Sequence, residues 1–177
     1  AGEFLMGDPN GSPAEQPVHR VKIEQPFWLG RCEVSNEQFA TFDSAHDSRV
    51  EDKNTYQFGV HGYPCNLPKQ PVTRLSWHDA MAFCEWLAKK TGERVTLPTE
   101  TQWEWACRAG TATPFWYGDG DADFSKMANL CDAKMREFAS NPYTIWEPQP
   151  TATKYDDWMP KETRFNDGPR VAADIGG

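Results

Sequence analysis

No apolar run in this sequence is long enough to cross a bilayer, and the opening Ala1-Gly2-Glu3-Phe4 has neither the basic start nor the apolar middle of a secretion signal. A membrane span is therefore not expected, and secreted, periplasmic and cytoplasmic locations all stay open. Basic charge is scarce too: 18 Lys and Arg face 26 Asp and Glu, a formal charge of −8 that repels a phosphate backbone and argues against nucleic-acid binding. There is no CxxC pair and no Cys/His cluster at zinc spacing. HExxH, GxSxG and nucleotide-binding glycine patterns are missing, and His19, His46, His61 and His78 stand at spacings that suit no metal. No internal repeat or low-complexity tract is present.

What the 177 residues do contain is enough for one core: 38% are hydrophobic and 13% aromatic, with eight Trp. Fourteen Pro and thirteen Gly point to many turns and ordered loops in place of long helices. Five cysteines, Cys32, Cys65, Cys84, Cys107 and Cys131, leave one thiol even after complete internal oxidation. Spacing does not choose between buried free thiols and any particular bridge.

Phe4-Leu5-Met6-Gly7 reads as a strand, followed by a turn-rich stretch from Asp8 to Pro13 that includes the sequon-like Asn10-Gly11-Ser12. Val21 and Ile23, then Phe27 and Leu29 beyond Pro26, predict two strands or one bent one. Three helix starts carry capping boxes: Ser35 with Gln38, Ser76 with Asp79, and Thr99 with Gln102. The second helix presents Trp77, Ala80, Met81, Cys84, Leu87 and Ala88 on one face and stops at Gly92; the third buries Trp103, Ala106 and Cys107 before Gly110. Trp77, Phe83 and Trp103 are thus expected in the core, and Arg94-Val95-Thr96-Leu97 is expected as a short strand. Residues 111–177 show no sustained period, so they read as ordered loops anchored by aromatics such as Trp116, Trp146 and Trp158.

Gly118-Asp119-Gly120-Asp121-Ala122-Asp123 alternates acids like a calcium loop, but Phe124 and Leu130 stand where an EF-hand requires Gly and Glu, so it reads as an exposed acidic turn. A catalytic thiol needs a nearby cation or a helix start, whereas Cys84 and Cys107 lie inside or late in apolar helical faces and read as core residues. Glu100 and Glu104 are one turn apart, and the expectation is structural: Glu104 or Arg108 forms an internal ion pair. Asn129 and Asp167 carry hard oxygen ligands, but spacing alone does not pair them.

Read together, several segments resemble one family. They are Phe4-x-Met6-Gly7, Pro17-x-His19-x-Val21, Glu33-Val34-Ser35-Asn36 with Phe39 and Phe42, and Pro71-Val72 leading to Ser76-Trp77-x-Asp79-Ala80-x-x-Phe83-Cys84-x-Trp86-Leu87. The most specific is Leu97-Pro98-Thr99-Glu100-Thr101-Gln102-Trp103-Glu104-Trp105-Ala106-Cys107-Arg108-Ala109-Gly110, followed by Phe115-Trp116-x-Gly118-Asp119 and Ala128-Asn129. The chain resembles the formylglycine-generating enzymes, or sulfatase-modifying factors, from its first residues nearly to its last.

The resemblance implies an α+β fold low in regular structure, a variant of the C-type-lectin-like fold, with residues 1–177 forming the N-terminal portion of a single domain whose C-terminal part is absent. It implies a structural calcium ion held by the Asn129 side chain, the Leu130 carbonyl, Asp167 and the Pro169 carbonyl. Full-length relatives oxidise a cysteine in a sulfatase CxPxR segment to formylglycine with oxygen and Cu(I), a metal suited to thiolates. By the same resemblance, the copper-binding cysteine pair lies in the absent segment. No residue here is assigned a catalytic role, and the chain alone is expected to be inactive. In some relatives the positions of Cys84 and Cys107 are bridged to that segment, which would leave both unpaired here. The partners implied are a sulfatase peptide or another protein ligand, and the chain's own C-terminal fragment or a second chain that covers exposed apolar surface. The alternative is a non-catalytic lectin-like module for ligand or protein binding.

Overall fold

The computed structural model of the chain describes residues 1–49, 65–135, 162–169 and 172–176; His61, Trp146 and Trp158 lie outside the described residues. In chain order the elements are strands β1 (Gly2–Met6) and β2 (His19–Ile23) and helices α1 (Asn36–Ala40), α2 (Trp77–Thr91) and α3 (Glu100–Arg108), with short 3-10 turns at Pro13–Glu15 and Ala133–Met135. This is an α+β chain with little regular structure, as expected. Two units are distinguished: Ala1–Gly30 with Val95–Ala122, and Arg31–Arg94 with Asp123–Gly177.

In the first unit β1 and β2 pair antiparallel, from Gly2 opposite Ile23 to Met6 opposite His19. Strand alternation puts Met6 and Ile23 in the core with Phe4 and Val21 half-buried, while Glu3, Arg20 and Lys22 are exposed. A two-stranded ribbon is marginal by itself, and α3 lies against it. Trp105 meets Phe4 edge to face at 5.5 Å and fills the space that a Cβ on Gly2 would need, 2.7 Å from its ring.

The inward stripe of α3 is Thr101, Glu104, Trp105 and Arg108, which follows the i, i+3, i+4, i+7 spacing. Glu104 Oε1 accepts the Gly7 N–H at 2.9 Å and the Arg108 Nε–H at 2.8 Å, and Arg108 donates to the Gly7 carbonyl at 2.9 Å. The expected ion pair is present, and it clamps both backbone groups of one glycine. The expected inward face is corrected: Trp103 is 59% exposed and Cys107 is exposed. Apolar periodicity picked the wrong side because the half-buried inward stripe includes two charged residues that neutralise each other on the backbone of Gly7.

The three capping boxes form as expected. The side chains of Ser35, Ser76 and Thr99 accept from the backbone three residues on, and Gln38, Asp79 and Gln102 reach back. Gly92 ends α2 in the left-handed region, with its N–H on the Ala88 carbonyl at 2.9 Å. At the end of α3 both Ala109 and Gly110 have positive φ.

In the second unit Phe39 of α1 is 2% exposed and stacks on Phe83 of α2 at 5.3 Å, with Phe42, Trp86 and His46 around them. Phe83 is buried as expected, whereas Trp77 is 63% exposed. Trp77 shares a face with Cys84 but is the first residue of its helix. Periodicity gives a direction, not a neighbour at the helix end. Asn36 is the polar hub here: its amide nitrogen lies within hydrogen-bond reach of the Cys65, Leu67, Gln70 and Pro71 carbonyls, and its oxygen accepts from the Ser48 hydroxyl. The strands expected at 94–97 and around Phe27 do not form among the described residues, since the only described sheet is β1 with β2.

Gly7 has φ +97°, and a Cβ there would stand 2.3 Å from the Glu15 carbonyl oxygen, whereas Gly110 has φ +88° and open space. Gly110→Ala should therefore cost only its backbone strain, about 1–2 kcal/mol, and Gly7→Ala about 2–4 kcal/mol. Urea unfolding midpoints measure both; equal losses would contradict the crowding at Gly7.

Candidate functional site

The loops after α3 in the second unit are built on Phe124, 6% exposed and packed edge to face on Phe165 at 5.5 Å. From this anchor the chain turns, with the N–H groups of Met127 and Ala128 on the Phe124 carbonyl, and delivers Asn129 and Leu130. Residues 131–133 then run beside 162–165. Glu162 N–H donates to the Cys131 carbonyl at 2.8 Å, Ala133 N–H to the Phe165 carbonyl at 3.1 Å, and Asp132 and Glu162 form a parallel bridge.

Of the four expected ligands, Leu130 and Asp167 are in direct contact: the Leu130 N–H donates to Asp167 Oδ2 at 2.7 Å. Asn129, exposed, and Pro169, half-buried, flank them along the chain. The other oxygen, Asp167 Oδ1, is buried with no hydrogen-bond partner among the described residues. Burial pushes the Asp167 carboxyl above its usual range; the Leu130 N–H opposes this, and the nearby negative charge of Asp132 adds to it. A buried carboxylate oxygen without a donor is costly unless a cation, a water or a proton completes it. The donor set here, a carboxylate, an amide and main-chain carbonyls, consists of the hard oxygens that calcium takes. These residues fit the ion.

Sequence reasoning missed Asp132, which is fully buried. Its Oδ1 accepts the Lys134 N–H at 2.7 Å and its Oδ2 accepts the Asp167 N–H. The only available signal was an acid directly after Ala128-Asn129-Leu130-Cys131, in a place where no local pattern marks it.

The remaining candidates resolve as structural. Asp119, Asp121 and Asp123 are exposed, and Asp123 caps the Ser125 N–H at 2.9 Å. His19 and His78 are exposed, and His46 Nε2 donates to the Thr73 carbonyl at 2.8 Å. Among the described residues no three His, Cys, Asp or Glu side chains converge on a metal position. None of the five cysteines is in a disulfide, and burial pushes the Cys65 and Cys84 thiols up, away from the thiolate that copper requires. Cys107 and Cys131 are exposed, so Cys107 is not the core residue expected. The Cys65 and Cys84 thiols do not fit a copper centre. No described helix is long and apolar enough to cross a membrane.

The fold, the capping boxes and the 97–110 segment define a class. Residues 1–156 match the sulfatase-modifying factor enzyme 1-like domain, and the chain belongs to that family. It is 25% identical to the formylglycine-generating enzyme of Streptomyces coelicolor, over 96% of this chain and 70% of that protein. It is 48% identical to the inactive C-alpha-formylglycine-generating enzyme 2 of Bos taurus over 62% of this chain and 47% of the other. It is 29% identical to the serine/threonine-protein kinase pkn1 of Chlamydia pneumoniae, over 82% of this chain but only 25% of the kinase. Among solved structures it resembles PvdO from Pseudomonas aeruginosa, with a TM-score of 0.61 at 26% identity, covering 84% of this chain and 61% of that one. The chain thus spans between a quarter and about two thirds of these relatives' lengths.

Next to the site, both Glu162 oxygens accept from Arg164: Oε1 from its N–H and Nε, and Oε2 from its terminal guanidinium nitrogen at 2.7 Å. They hold the Glu162 carboxyl down at about 2 from its ordinary 4.5. A depressed carboxylate stabilises the fold above its unfolded value, so this contribution is present above pH 4.5 and is lost as pH falls toward about 2. The Glu162 carboxyl carbon followed by NMR should titrate near 2; a midpoint near 4.5 would contradict the Arg164 contacts.

Proposed function

We propose that residues 1–177 are the N-terminal portion of one sulfatase-modifying-factor-like domain of the C-type-lectin-like type, with a structural calcium ion tying its irregular loops. The ion is held by the Asn129 side-chain oxygen, the Leu130 carbonyl, Asp167 and the Pro169 carbonyl. The family match over residues 1–156 carries the first part of this reading. The buried Asp167 Oδ1 beside Leu130, without a hydrogen-bond partner among the described residues, supports the second. In this reading the complete domain would act on a cysteine in a sulfatase CxPxR peptide, and Cu(I), held by thiolates other than the five here, would supply the oxygen chemistry when bound. Cys32, Cys65, Cys84, Cys107 and Cys131 do not hold that copper. Their part is packing, or none, and the present residues contribute scaffold and some of the peptide-binding face.

Calorimetry of the chain with calcium should give heat of binding that Asn129→Ala loses by at least an order of magnitude, as loss of a ligand does. Wild type without calcium uptake overturns the ion assignment. For the reaction, a CxPxR peptide incubated with oxygen and Cu(I) is followed by mass. The 177-residue chain should leave the peptide unchanged, and a product of the same gene read past Gly177 should convert it. Conversion by the 177 residues alone would place the reactive thiols among the five excluded here. No conversion by the longer product would favour ligand display over oxidation.

A further inference from the structure

Asp132 and Asp167 lock the two loops reciprocally. Asp167, from the 162–169 segment, accepts the Leu130 N–H at 2.7 Å, and Asp132, from the 129–135 segment, accepts the Asp167 N–H and the Lys134 N–H. Closing the loops therefore brings two acidic side chains together, one of them 0% exposed. Among the described residues no Lys or Arg forms an ion pair with either. Backbone N–H groups stabilise a buried carboxylate without bringing a net positive charge to it. Two adjacent carboxylates repel unless a cation or a shared proton lies between them.

We infer that Asp132 is a positioning residue of the cation site, which fixes the backbone of Asp167 and supplies a second negative charge that favours ions of higher valence. The inference rests on the calcium reading above. Groups that orient ligands in this way are often worth 10- to 100-fold in metal affinity. A residue that acts only through shape weakens all ions alike, whereas removing a charge penalises a trivalent ion more than a divalent one.

Calcium calorimetry and terbium luminescence on wild type, Asp132→Asn, Asp132→Glu and Asp167→Asn separate the possibilities. Asp132→Asn should bind calcium about 10- to 100-fold more weakly, with a larger loss for terbium. Asp132→Glu keeps the charge and should retain the wild-type ratio of terbium to calcium affinity, even if both fall. Wild-type affinity in Asp132→Asn overturns the inference, as do equal losses for both ions or an Asn-like ratio in the Glu variant. In each of those cases wild-type binding and its loss in Asp167→Asn leave the calcium reading standing. Wild type that binds neither ion overturns that reading and this inference together.

Discussion

The constraint on which this structure depends is that every buried backbone N–H and C=O needs a partner, in a chain whose only described sheet has two strands. Side chains take the place of missing ladders. Glu104 and Arg108 hold both backbone groups of Gly7, Asn36 gathers carbonyls from 65–71, Ser48 accepts the Thr73 N–H, and Asp132 and Asp167 bind loops 35 and 37 residues away in sequence, respectively. Each such bond contributes little net, but leaving its buried partner unmade costs more. The polar residues inside this protein are therefore what makes long irregular segments foldable.

The same constraint decides what could be read from the amino-acid order. Helix starts were legible because a capping box is chemistry within four residues, so Ser35, Ser76 and Thr99 announce themselves. The inward face of α3 was not, because hydrophobicity scores Trp103 and Cys107 above the Glu104 and Arg108 that are actually turned inward. Trp77 shows a related limit: a helical face continues past the last neighbour that can cover it. Arg94-Val95-Thr96-Leu97 has strand-like residues, yet a strand exists only beside a partner edge. At the site, Asn129 and Asp167 came together only through family resemblance. Asp132 escaped even that, since its partner lies 35 residues on and no periodicity links them.

These devices bear on function unevenly. Family membership covers most of the chain, while relatives with the same domain include an enzyme, an inactive counterpart and a kinase. The scaffold is shared by proteins that differ in chemistry, so activity has to be argued from the site. Among the described residues the site with unmet chemical demand is the pair of acidic loops, and its oxygen donors are of the hard type that suits a structural cation better than a redox metal. A cation at that point would do for the second unit what the Glu104–Arg108 pair does for the first: it would hold irregular backbone by charge.

The most direct test is crystallographic. Crystals grown with calcium, and measured also after exchange for a lanthanide with strong anomalous scattering, should give a peak about 2.3–2.6 Å from Asp167 Oδ1, with the Leu130 carbonyl and the Asn129 oxygen around it. A map in which that oxygen is instead bonded to water or to a protein donor, with no anomalous signal between the loops, would contradict the account.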